Sequence, residues 1–175
     1  MNKNFDYLGN TFQIQLINQI IIDKTFSGSI IDVIEPSYFD NKYFKIVIQL
    51  IKEYFSKYES IPSFETIEQL IKSEIPQEMV VKIVLYTLKQ IKDAPTEGTM
   101  FVQEKALKFC KQQELQKAMD KANNIISEGD FESYDKVEGL VRDALQVGQT
   151  NTGVTDIFSG LDTVLDDDYR HPIPM

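Results

Sequence analysis

The sequence predicts an all-α protein: a compact helical head, a long antiparallel helical hairpin, then a separate amphipathic linker helix and a flexible tail. Three observations carry that prediction. Prolines at 36, 62, 76, 95, 172 and 174 cut the chain into pieces of helical length. Within those pieces apolar residues recur every three to four positions, the period of a helix face and not of a strand. The 175 residues are 42% hydrophobic and 26% charged, the composition of a globular chain that buries a core without disulfide or metal.

Taken in order, residues 10–24 carry Phe12, Leu16 and Ile20 with Ile14, Ile17 and Ile21 beside them, an amphipathic helix. Gly28 is expected to interrupt, and residues 30–34 form a short apolar turn or helix before Pro36. Residues 41–58 are rich in Ile, Val, Tyr and Phe and so invite a strand. Lys45, Gln49, Lys52 and Ser56, every three to four positions, decide for a helix. Asp40 is its expected N-cap, with Phe39 and Phe44 placed as a hydrophobic staple. Ser63 caps the next helix, which turns Phe64, Ile67, Leu70 and Ile71 inward and stops at Pro76. Residues 77–92 repeat the pattern with Val80, Ile83, Val84, Leu88 and Ile91.

After the break Asp93-Ala94-Pro95-Thr96 comes the longest helix, 99–127, roughly 43 Å at 1.5 Å per residue. Two long helices joined by so short a break predict an antiparallel hairpin over about 77–127, following a head of about 8–75. Leu115, Met119, Ala122 and Ile126 give its far half more apolar surface than one partner helix covers, so the hairpin is expected to self-associate. Residues 1–128 thus form an N-terminal helical domain, 129–150 a linker-helix region and 151–175 a tail. In the linker helix, 133–147, Tyr134, Val137, Leu140, Val141, Ala144 and Leu145 share one stripe. Gly139 inside it costs about 1 kcal/mol against alanine. This stripe either folds back on the hairpin or docks in a groove on a partner. Its position between a glycine break and the polar linker 148–153 favours docking.

Charge and chemistry exclude much. The net charge is −9, and only Arg142 and Arg170 among 18 cations are arginine, a poor complement for nucleic acid. One histidine, His171, and one cysteine, Cys110, provide no nucleophile–base pair, and Cys110 is expected to be buried. No glycine-rich phosphate loop precedes a Lys-Ser or Lys-Thr pair, so no cofactor is expected in this chain. Asp162, Asp166, Asp167 and Asp168 fit a solvated run better than a cation loop. The longest apolar run is four residues, 83–86, against roughly 20 for a membrane span. With Asn4, Asp6 and Asn10 where a leader would be apolar, the expectation is a cytoplasmic protein without a membrane partner.

Tyr38-Phe39-Asp40-Asn41 leading into Ile46-Val47-Ile48, Tyr54-Phe55-Ser56-Lys57-Tyr58 and Ile61-Pro62-Ser63 resembles the head of DnaB-like replicative helicases, in particular the phage, T4-type members. Asp93-Ala94-Pro95 before a long helix with Phe101-Val102 is similar to the second half of that family's N-terminal domain. Tyr169-Arg170-His171-Pro172-Ile173-Pro174 resembles the lead into its ATPase domain. The resemblance implies a hexameric ring that unwinds DNA 5′ to 3′ with ATP and Mg. It implies a collar of paired hairpins that contacts a primase and a helicase loader, and a linker helix docked on the neighbouring subunit's ATPase domain. Single-stranded DNA, the Walker lysine, the glutamate base and the arginine finger all belong to the ATPase domain absent from this chain. No catalytic residue therefore carries over. The alternative is an independent helical adaptor, such as a helicase loader or a small regulatory binding protein. Continuation of the reading frame past Met175 into a phosphate loop separates the two.

Overall fold

Seven α-helices, and no strand, make up the described residues, 4–129 and 131–146, of a computed structural model. They are α1 (Asn10–Ile22), α2 (Lys24–Ile30), α3 (Lys42–Tyr58), α4 (Phe64–Glu74), α5 (Glu78–Lys92), α6 (Thr99–Glu128) and α7 (Tyr134–Leu145). Short 3-10 turns stand at Phe5–Leu8, Pro36–Tyr38 and Phe131–Ser133. The tail 151–175, with Arg170, His171 and the aspartate run, lies outside the described residues, as does Val147.

Helix starts follow the available caps. Ser63 accepts from the Thr66 amide at 3.2 Å, as the sequence predicts. Asn41, not Asp40, caps α3, accepting from the Tyr43 amide at 2.8 Å. The helix begins at Lys42, which leaves Asp40 a residue too early. Gly28 does not interrupt: it sits inside α2, and the break falls earlier, at Asp23. Asp23 is extended and lends its carboxylate to the Phe26 amide at 3.0 Å, ending one helix and capping the next.

The centre of the head is α1. Leu16, Ile17 and Ile20 are fully buried, and so, nearly, are the polar Gln13, Gln15, Asn18 and Gln19. Buried amides require partners, and neighbouring segments supply them to Gln15, Asn18 and Gln19, whereas Gln13 donates only to the Gly9 carbonyl and its own side-chain oxygen is unpartnered. Gln15 donates to the carbonyls of Pro95 at 3.0 Å and Glu97 at 2.8 Å. Asn18 donates to the Ile91 carbonyl at 2.9 Å, and Gln103 of α6 donates to Gln19 at 2.8 Å. Helix α1 thereby pins the α5–α6 connection, and both helices pack on it.

This corrects the expected hairpin. Helices α5 and α6 are consecutive, but neither lies along the other. The stripe of α5 is occupied: Val84, Leu88 and Ile91 are buried in the head core, where α5 packs on α1, α3 and α4. The long partner of α6 is instead α7. The head also begins earlier than residue 8. Phe5 is fully buried in a ring cluster, 4.4 Å from Phe109, 5.3 Å from Phe39 and 5.7 Å from Phe12 between centroids. The first half of α6 belongs to the same core through Val102, Ala106, Phe109 and Cys110.

Candidate functional site

Helix α6 is shared between head and arm, and Lys117 marks the handover. Its ammonium donates to Glu35, beside the Pro36–Tyr38 turn, and to Glu114 at 3.1 Å, and lies 5.9 Å from the Tyr38 ring centroid. Burial alone would lower the Lys117 pKa, but the hydrogen bonds to Glu35 and Glu114 carry it above its ordinary value. Burial pushes the neighbouring Tyr38 phenol up to about 12, against the pull of Lys117. Burial likewise raises the Cys110 thiol well above its ordinary range, so this cysteine is no thiolate nucleophile.

Beyond Lys117 the packing changes character. Ala118 and Ala122 of α6 and Ala144 of α7 are buried, yet none belongs to the core of the head. Small side chains let two helix backbones approach closely. The reversal is made at Gly129, whose φ of +69° lies in the left-handed region that glycine tolerates. One cleft joins Glu114, Ala118 and Lys121 of α6 to Leu140, Asp143 and Ala144 of α7, as an antiparallel pair requires.

The two sets of residues that the sequence singles out therefore sit on one arm. The linker helix is not separate: α7 folds back on its own α6. Its short side chains and its close spacing after Gly129 make that pairing the nearest apolar contact available. Ala144 is buried in the contact, Val137, Leu140 and Val141 are half-buried, and Tyr134 and Leu145 are exposed. Of the residues expected to self-associate, Ala122 lies under α7 and Leu115 is half-buried. Met119 at 45% and Ile126 at 56% remain exposed.

A rotation of about 100° per residue divides the arm into two sides. Glu114, Lys117, Lys121 and Asp143 line the charged side, a cleft of about 210 Å³. Met119 and Ile126 fall on the other side, together with Tyr134, Val141 and Leu145 of α7. That apolar side is legible in the sequence only as two unrelated stripes. The Lys117–Glu35–Tyr38 junction left no sequence signal, because nothing local links residues 35 and 117.

Elsewhere a groove of the head runs between α4 and α5, about 430 Å³ with Phe64, Leu85 and Leu88 in its lining. Lys92 reaches across it to Glu65 at 3.9 Å. Among the described residues no group of three or more His, Cys, Asp and Glu side chains is placed to hold a metal ion. No helix among them is long and apolar enough to cross a membrane. Comparison with family models, curated proteins and solved structures finds no significant match. The arm's chemistry is contact chemistry: an open apolar side on a thin helix pair.

Proposed function

We propose that this chain is an assembly domain, the N-terminal collar of a hexameric, ATP-dependent DnaB-like DNA helicase. In this reading it packs subunits together and offers a surface to a primase or a loader, while ATP, Mg and single-stranded DNA are handled by an ATPase domain elsewhere. The supporting observation is the apolar side of the arm, with Met119 and Ile126 exposed on a helix that has already used its alanines to pair with α7. An acidic chain with two arginines suits such a collar better than a DNA track.

Light scattering over a concentration series tests it. The chain should dimerise at several hundred micromolar, and Met119→Asp with Ile126→Asp should keep it monomeric. A strictly monomeric wild-type chain at that concentration overturns the reading. The same preparation should neither bind ATP in calorimetry nor shift a labelled oligonucleotide at physiological salt.

One observation favours the adaptor reading instead: α7 packs on its own chain, against α6. Leu140→Asp with Val141→Asp separates the two. In the collar reading the full-length protein carrying this pair loses ring assembly while the head's cooperative melt survives. Loss of the head's own melt would make α7 part of the domain core.

A further inference from the structure

The head has a groove of its own, between α4 and α5. Residues 75–77 join the two helices at one end, and the Glu65–Lys92 pair at 3.9 Å spans them at the other, so they run antiparallel. Half-buried Phe64 and Leu85 and buried Leu88 form its floor. Its walls have opposite signs. Helix α4 contributes Glu65 and Glu68, α5 contributes Lys89 and Lys92, and Asp93 follows at the end of the α5 wall. Within one chain these charges are loosely used. The Glu65 and Lys92 side chains are 77% and 57% exposed, and Glu68 pairs along its own helix with Lys72.

An antiparallel helix pair with an apolar floor is half of a four-helix bundle, and the walls identify the other half. A half-turn about an axis along the groove keeps each residue at its own level and exchanges the two walls. Glu65 then faces Lys92 of a second copy, Glu68 faces its Lys89, and the reciprocal pairs form across the floor. Each α4 meets the other copy's α5 in antiparallel, so neighbouring helices alternate in direction throughout. A half-turn about an axis across the groove sets acid against acid and base against base. The charges thus select one of the two arrangements.

We propose that the α4–α5 groove is a contact between two copies of this chain, closed as an antiparallel four-helix bundle in which acidic and basic walls meet. Exposed ion pairs around a short floor make a weak contact, so it forms at millimolar concentration. The proposal does not rest on the collar reading, whose contact lies on α6 and α7.

Leucine-methyl NMR on the full 175-residue chain carrying Met119→Asp and Ile126→Asp, which remove the arm contact, tests it. On dilution from millimolar to tens of micromolar the Leu85 and Leu88 methyl resonances should move together, while those of Leu16, fully buried in α1, stay fixed. Glu65→Lys with Glu68→Lys makes both walls basic, and Lys89→Glu with Lys92→Glu makes both acidic. Either pair should weaken association at least about tenfold. An equimolar mixture of the two should restore it, because unlike walls then meet on both sides. Leu85 and Leu88 resonances that ignore concentration overturn the proposal, whatever the reversal variants do. A mixture that associates no better than its components overturns it too, as does association that neither reversal weakens. A chain that dimerises through the arm without moving Leu85 and Leu88 fails this proposal alone. Groove pairing in a chain whose arm never dimerises fails only the collar reading.

Discussion

Head and arm are both made of helices, but different side chains hold them. In the head, fully buried Phe5, Phe39, Leu16, Ile17, Ile20, Ile48 and Ile51 fill the space between elements. Burying each such side chain stabilises by roughly 1.5–3 kcal/mol. In the arm the buried contacts are Ala118, Ala122 and Ala144, flanked by half-buried valines and leucines. A buried methyl group contributes only about 0.8 kcal/mol. The head is therefore the cooperative unit, and the arm is the part that opens first. An element of low intrinsic stability is also one whose position a partner can set, which ties the arm's weak packing to the assembly role proposed for it.

The largest effect should come from the helix the two regions share. Phe109→Ala removes the ring that meets Phe5 at 4.4 Å and Tyr38 at 5.5 Å, at a cost of about 3–5 kcal/mol. Because α6 runs on into the arm, both regions should lose protection together in hydrogen exchange, with a large drop in melting temperature. Loss of the arm alone would show that the head's core closes without α6.

The opposite experiment attacks only the arm. Ala118→Leu forces a branched side chain into the α6–α7 contact, where overpacking costs about 1–3 kcal/mol. Exchange in 134–145 should accelerate while the thermal melt of the head, followed through its buried aromatic cluster, stays in place. A lowered head melt would mean that the alanine contact is continuous with the core.

How much of this was legible in the sequence divides along the same line. Each helix is a local periodic object, and the periods at 42–58, 64–74 and 78–92 gave the helices directly. Pairing is not local. Gln15, Asn18 and Gln19 look like the solvent side of an amphipathic helix, yet they are buried and hydrogen-bonded to the α5–α6 connection and to α6. That central position of α1 is what displaces the expected 77–127 hairpin, and polar residues hide it. In the arm, the stripe Ala118, Met119, Ala122, Ile126 reads as one surface, but the structure splits it by size. The alanines face α7 because only they permit close approach, and the larger pair is left outside.

A smaller effect isolates the turn. Gly129 holds φ at +69°, and a Cβ there would meet no atom within 4 Å. Gly129→Ala thus costs backbone strain alone, about 1 kcal/mol. Arm exchange should rise several-fold with the head unchanged, and an unaltered arm would mean that the reversal relaxes into the following 3-10 turn.

The smallest effect lies at the handover itself and is read through pH. Lys117 has its folded pKa raised by Glu35 and Glu114, and the Tyr38 phenol is raised to about 12 by burial. A group whose pKa is higher folded than unfolded adds stability below its unfolded value, near 10 for both types, and loses it as pH rises through the folded value. Between about pH 10 and pH 12 the wild-type junction should therefore weaken, with the second half of α6 loosening before α3 or α4. Lys117→Met removes one of the two groups and leaves Glu35 and Glu114 without their cation. The Lys117 and Glu35 side chains are 42% and 39% exposed, so the loss at neutral pH should be about 1 kcal/mol or less. Its distinguishing mark is the slope: the variant's alkaline decline should be shallower, because Lys117 no longer contributes to it while Tyr38 and Cys110, both raised by burial, still do. Equal slopes for wild type and variant would show that the ammonium is solvated and that the arm is fixed to the head by the aromatic cluster alone.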